Sequence, residues 1–523
     1  MVVLSSILLV GIIYTKIRDE THSCMGVPII AEELLQGKLK QEKEIGNIIS
    51  LKQKMLPYDK ENSRIYIPCT VDEETKIYDF QGKLESSLSE YKLYFPEDSI
   101  FNIISEAVKY SYEFQLYAVN ADGEYKIYHV IFTTLPVLEI HGEILATDER
   151  GRDIYFGKMT FWAPQEETHS IYVQESNLEW HDRGFSSMSF AKRSQKISLK
   201  EAIGNNQQLS LAGLSEDDDY ILNPMWFDDV KVREKLAMDL WNEIAEKENS
   251  TLKMTGGEYC ELVINESYQG LRLLQNRLEK KYLNLDEEDI LLKGMNVNVG
   301  AGECPEDVYE IVYAKDHEEA YRLMDDFFYE TDFQQLDLEN WIDIQLFLQL
   351  GNMIDNHYYK NIYYVLMREE KEEALHLIPW DTDMSFGVYW NDGFSYMPES
   401  VETISYRMEY SSLKKQYPQI PEKLAKRWRE LREGVFSEAN IINKIEEYES
   451  LILKSGALAS SVMATAFFYS RIYRHRVERL ARLVFMLAIL AVLTAGIWWP
   501  YTEKIRSKME GGKIAGSLTR FPD

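Results

Sequence analysis

Cysteine is scarce in this sequence: Cys24, Cys69, Cys260 and Cys304 are its four, scattered over 523 residues with no C-x-x-C spacing. That pattern suggests neither a zinc site nor a disulfide framework; free, buried thiols are the simpler reading, with room for one bridge. Basic residues are in deficit too. Against 86 Asp and Glu stand 57 Lys and Arg, a formal charge of −29. A polyphosphate backbone would be repelled by such a surface, so DNA and RNA are set aside as partners. The one glycine-rich candidate, Gly300-Ala-Gly302, is too short and badly placed for a nucleotide loop and reads as a linker. Repeats and low-complexity tracts are missing as well.

Long apolar runs are confined to the two ends. Residues 483–499 read LVFMLAILAVLTAGIWW, at the short end of the about 17–25 residues that cross a bilayer. Trp498, Trp499 and Tyr501 then supply an interfacial aromatic belt. This segment is expected to be a transmembrane helix, followed by a basic tail over 500–523. The apolar run 2–14 is shorter and lacks a charged leading region and a small-residue cleavage site, so residues 1–18 read as a short signal or anchor. Thr21-His22-Ser23 before Cys24 is no lipobox. Arginines at 471, 474, 476, 479 and 482 precede the C-terminal run, and Lys504, Arg506, Lys508 and Lys513 follow it, so loop charge does not fix the orientation. The N-terminal run favours a body outside the cell, facing the cell envelope, with the tail inside.

What is present points to folded domains. At 523 residues with 45% hydrophobic and 12% aromatic side chains, the chain exceeds what one core supports, and two or more domains are expected. Period-2 alternation marks strands at 64–69, 91–95, 112–119 and 125–132, with a turn at Asn120-Ala-Asp-Gly123 joining the last two. Residues 60–134 are therefore read as a small antiparallel, Ig-like β-sandwich. Leu135-Pro136 opens a second domain over 135–480, with further strands at 137–142 and 158–162. Helical periodicity follows at 229–248, 318–328, 338–350, 421–433 and 438–453. Strands first and helices afterwards predict an α+β fold.

The chemistry-bearing residues cluster in two blocks. Asp355 is followed six residues later by Asn361, with Lys360 between them, and Asp381 and Asp383 come 26 and 28 residues after Asp355 in Ile378-Pro-Trp380-Asp381-Thr-Asp383-Met-Ser-Phe-Gly387. Phosphoryl transfer needs chiefly positioning and neutralisation of phosphate charge, so one carboxylate as base with an Asn and Asp pair on Mg²⁺ suffices. The helix over 338–350 feeds directly into the Asp355 loop, as a rigid scaffold presents a loop base. Upstream, Arg183-Gly184 leads to Ser186 and Ser187 and then to Lys192 and Lys196. A glycine turn with hydroxyls and backbone donors, followed by a lysine-bearing strand, can face and neutralise phosphate; read alone, it is equally a basic surface hairpin. His357 and His376 are expected to be structural, and Trp380 to pack beneath the Asp381 loop.

These blocks resemble the CotH kinase family, the spore-coat-type atypical protein kinases, whose Asp-Asn-x-x-x-Lys-Asn and Pro-Trp-Asp-x-Asp-x-x-Phe-Gly patterns they match. The Arg183–Lys196 stretch is similar to the family's Arg-Gly-x-Ser-Ser block, with Ala191 where Pro and Gln195 where Tyr is usual. The stretch around Asn265 and Gly270 resembles its strand–turn–strand element, with Asn276 where an acid is common, and Lys293 matches a lysine found after that hairpin. The resemblance implies a two-lobed atypical kinase-like domain that transfers the γ-phosphate of ATP to Ser or Thr of an envelope or coat protein. It implies Asp355 with Lys360 at the catalytic position, Asn361, Asp381 and Asp383 on Mg²⁺ or Mn²⁺, and Arg183, Ser186, Ser187, Lys192, Lys196 and Lys293 around the nucleotide. An acid at 276 would partner the phosphate-binding lysine. Its absence leaves open a weak pseudokinase serving as a structural envelope protein, and paired carboxylates also suit a metal-dependent hydrolase or transferase acting on a surface polymer.

Overall fold

The computed structural model describes residues 23–454, apart from 71–81, 98–107, 109–111, 166–169, 296–304, 329–332, 357–359, 370–371, 391–393, 397–405 and the single positions 185, 191, 203, 249 and 408. The expected signal or anchor at 1–18, the span at 483–499 and the tail at 500–523 lie outside the described residues. Among those described, no helix is long and apolar enough to cross a membrane.

The fold is mixed α+β with several sheets. In the N-terminal region an eight-stranded sheet is centred on Glu124–Thr133. This strand pairs antiparallel with Phe114–Val119 and parallel with Arg64–Pro68, so the sheet is mixed where an antiparallel sandwich was expected. The hairpin turn forms as predicted. Asn120 accepts the backbone N–H groups of Asp122 and Glu124 through Oδ1, at 3.0 and 2.9 Å, and Gly123 takes φ +84°, a conformation in which a Cβ is strained. Strands within 23–59 had no sequence signal: at two to four residues each they are too short to show a period.

Seven strands then close a barrel: β1 (Val137–Thr147), β2 (Asp153–Gln165), β3 (Ser170–Arg183), β4 (Ser194–Lys200), β5 (Asp219–Asn223), β6 (Gly257–Ile264) and β7 (Ser267–Asn276), in the order β1-β2-β3-β4-β5-β7-β6. All neighbours are antiparallel except the closing pair, where Val137–Ile140 runs parallel to Glu261–Ile264. Alternate residues fill the interior, among them Leu138, Ile140, Phe161, Leu178, Trp180, Ile197, Leu199, Tyr220, Leu222, Leu262 and Leu274. Opposite parity faces outward. Val137, Trp162, Ile171 and Val263 on that outer surface share one core with Ile65, Ile67, Phe114, Tyr128 and Phe132 of the N-terminal sheet. The two regions are thus fused by apolar burial, the dominant favourable contribution to folding.

After the barrel come β8 (Ile290–Gly294), β9 (Tyr309–Tyr313), β10 (Ile362–Glu369) and β11 (Glu372–Pro379), an antiparallel sheet in the order β9-β8-β10-β11. The helices that matter for the site are α1 (Arg233–Lys247), α2 (Leu338–Gly351) and α3 (Ile420–Glu433), within a residue or so of their predicted bounds at one end or both. Helix α2 is apolar almost all round and buried, with Trp341, Ile342, Ile344, Phe347 and Leu348 in the core. Asp337 caps its N-terminus by accepting from Glu339 N and Asn340 N at 3.0 and 3.1 Å. Asn340 pairs with β11 as a strand would, accepting from Leu377 N at 2.8 Å and donating to Leu377 O at 3.1 Å. On its other side Arg427 of α3 grips Asp343 with two bonds of 2.7 and 2.9 Å. Helix α2 is fixed on both flanks.

Candidate active site

That rigidity is delivered to one carboxylate. Helix α2 ends at Asn352 in the left-handed region (φ +49°), and a single 3-10 turn, Ile354–Asn356, presents Asp355. Asp355 Oδ2 accepts from Lys360 Nζ and from Asn361 Nδ2, both at 2.7 Å. Asn361 itself is buried and left-handed (φ +58°) at the mouth of β10. The neighbouring Asn356, fully buried, donates to Asn361 O at 3.0 Å and to Trp380 O at 2.6 Å. Trp380 N also donates to Asn361 O at 2.9 Å, and its ring lies edge-on to Tyr363, centroids 5.7 Å apart. The two sequence blocks are therefore bolted together where β10 and β11 begin and end. Beyond Trp380, Asp381 is exposed in the left-handed region (φ +53°).

The electrostatics of the cluster are lopsided. Burial holds the Asp383 carboxyl well above the usual range, and the nearby carboxylates of Asp381, Glu234 and Asp355 push it further. Glu234, in the first turn of α1, is 5% exposed. Its oxygens accept from Asn223 Nδ2 of β5 at 2.6 Å and Gln275 Nε2 of β7 at 2.8 Å. Burial and then Asp381 raise its pKa to about 7, while the two amides and Arg183 oppose them. Two cations face this charge. Lys293 on β8, its ammonium 5.9 Å from the Tyr363 ring centroid, is held below its usual value by burial, with Asp381 opposing and Arg183 adding to the shift. Arg183, at the end of β3, is felt by Glu234, Lys293 and Tyr363 alike.

The other expected nucleotide contacts have neighbours of their own. Lys196 forms an ion pair with Asp219 of β5 at 2.8 Å, and the Lys192 ammonium lies 2.8 Å from where a Cβ on Gly270 would stand, with Arg272 as its charged neighbour. Ser187 folds its hydroxyl back over Gly184, at φ +114°; Ser186 begins the 3-10 turn Ser186–Ser189. Asn276 is 1% exposed at the end of β7, donates to Ser215 O at 2.9 Å and leaves Oδ1 without a partner. The acid that pairs with Lys196 is Asp219, on the neighbouring strand. His376 sits against Asp337 at 3.1 Å, away from the Asp355 turn.

Glu234, Asn223, Gln275 and Tyr363 escaped the sequence reading. A signal existed for the first: Glu234 lies one turn before Met238 and two before Trp241, on the face of α1 that the helix buries, where an acid needs an explanation. Among the described residues no three His, Cys, Asp or Glu side chains converge to hold a metal by themselves. Two carboxylates with phosphate oxygens completing the shell is the way Mg²⁺ is ordinarily held beside a nucleotide.

No curated protein matches this chain. The family model described as CotH kinase protein matches residues 181–476, from the end of β3 through the helical region, and takes in Arg183, Glu234, Lys293, Asp355, Asn361, Asp381 and Asp383. The chain belongs to the CotH kinase family.

Proposed function

We propose that the protein transfers the γ-phosphoryl group of ATP to a Ser or Thr hydroxyl of a protein. The observation that carries this reading is the joining of Asp355, Asn361 and the Asp381–Asp383 loop through Asn356, with Lys293 and Arg183 as the facing cations. Among the described residues both donors to Asp355 act on Oδ2, which leaves Oδ1 to orient the acceptor hydroxyl and take its proton. Asp381, Asp383 and the amide oxygen of Asn361 are hard oxygen donors in a site with surplus negative charge, and they fit Mg²⁺ or Mn²⁺. Bound there, the ion would neutralise charge on the phosphate oxygens. Lys293 and Arg183 would bind the same oxygens from the opposite side, taking the place given above to Lys192 and Lys196. The pseudokinase alternative predicts the reverse, a fold that binds without transferring phosphate.

The test is phosphotransfer by the full chain, with melting followed in parallel. Mg-ATP should raise the melting temperature, and Asp355→Asn should abolish transfer while keeping that rise. A parent with no nucleotide-plus-metal shift and no transfer to protein acceptors would refute the reading. We also hold to a membrane tether at 483–499 with the body outside the cell, facing envelope proteins. Protease added to intact cells should digest the body and spare a tag placed after Asp523; protection of the body until lysis would reverse the orientation.

A further inference from the structure

One buried cation lies outside the set just described and touches it. Arg407 is 2% exposed and belongs to the segment leading into the helix Tyr410–Gln416. Its backbone N–H donates to Gln345 Oε1 of α2 at 2.8 Å. One arm of the guanidinium donates to Asn356 O at 3.3 Å, and the other to Glu409 Oε1 at 2.9 Å and the Tyr364 hydroxyl of β10 at 3.5 Å. Asn356 is the residue next to Asp355 and the one whose amide spans both catalytic blocks.

We infer that Arg407 is a positioning residue for the Asp355 turn: its fork clamps Asn356 O, and through Asn356 it fixes Asp355, Asn361 and the Trp380–Asp383 loop as one rigid unit. This rests on the phosphotransferase reading. The physical case is the fork. A planar guanidinium serves a carboxylate, a carbonyl and a hydroxyl in fixed directions, which one ammonium cannot do. A bare ion pair with Glu409 would not need Asn356. A turn is also weakly self-supporting backbone: among the described residues Asn356 N to Met353 O, at 3.2 Å, is the bond that closes it from within.

The experiment compares the full-length parent with Arg407→Lys and with the double variant Arg407→Met, Glu409→Met. The double variant removes the buried pair as a pair, which is often neutral for folding. The lysine keeps the charge beside Glu409. Both should lower kcat by about tenfold to a hundredfold, the scale of a misplaced catalytic group, with KM for Mg-ATP within about twofold of the parent. Hydrogen exchange should quicken about tenfold in peptides covering 352–361 and 378–384 and stay unchanged in the barrel. Unchanged exchange in those peptides overturns the inference, as does faster exchange with kcat intact, or parent-like kcat in the lysine variant. If the parent transfers no phosphate at all, the phosphotransferase reading fails, and the exchange data alone then decide whether Arg407 holds the turn.

Discussion

Two buried glutamates border the outer wall of the barrel on different sides, and burial raises both while their neighbours differ. Glu234 touches β5 and β7; Glu261, on β6, meets the N-terminal sheet. Each accepts two side-chain hydrogen bonds, and burial pushes each up to about 7. Around Glu261 the partners are hydroxyls, Thr133 and Tyr268, the latter at 3.0 Å and stacked on Tyr66 with centroids 4.7 Å apart. Around Glu234 the next influence after burial is the Asp381 carboxylate. A displaced pKa marks a site only when something else charged faces it; the same shift in Glu261 marks a joint.

That contrast can be broken in four places. The largest effect belongs to the site: Asp355→Asn should cut phosphotransfer by about a hundredfold to ten-thousandfold, the range of general-base contributions, while Glu261→Gln leaves it within about twofold. Radiolabel transfer to a protein acceptor reads both, and equal losses would erase the distinction. Next comes Asn276→Glu. Buried beside Ser215 O, a new carboxylate should destabilise the fold by about 3 kcal/mol in chemical denaturation, and it should not raise activity. A gain in activity would return position 276 to the site.

The third test uses metal. Saturating Mg-ATP at a hundredfold excess over Kd should stabilise the parent by about 2.7 kcal/mol, and replacing Asp381 and Asp383 together by Asn should remove that gain without touching the joint. The fourth test uses pH. A carboxyl raised from 4.5 to about 7 holds its proton in the fold where the unfolded chain has released it. Its stabilisation is therefore full below 4.5 and is lost as pH rises through about 7. Glu261→Gln should flatten that decline by at most about 3 kcal/mol, with or without Mg-ATP. The share due to Glu234 should shrink once a cation offsets Asp381. If both shares respond to metal, the two glutamates are not independent.

The sequence made legible whatever is local. Helices α1, α2 and α3 appear close to their predicted bounds because amphipathic or apolar periodicity runs through each, and the strand of the Asn120 hairpin shows because a turn signal separates two alternating runs. The Asp355 and Asp381 blocks were visible for the same reason, being short runs with fixed spacing. What stayed hidden depends on closure of the chain at a distance. Glu234 comes beside the candidate site only because β5, β7 and the Asp381 loop meet at α1. The Lys196–Asp219 pair, likewise, exists only because strand pairing sets β4 beside β5.

The parallel seam between Val137–Ile140 and Glu261–Ile264 has a consequence for how the chain is made and cut. During synthesis the barrel cannot seal until β7, which lies between β5 and β6 and ends at Asn276, has left the ribosome, and Val263, which the N-terminal core also needs, arrives little sooner. The first half of the protein must therefore wait, its apolar faces uncovered, for more than a hundred residues. A fragment trimmed to the family match at 181 would keep β4 to β7 but lose β1, β2 and nearly all of β3, leaving raw sheet edges that invite pairing with other chains. Expression trials should find soluble, monomeric material only from fragments that begin before the N-terminal sheet.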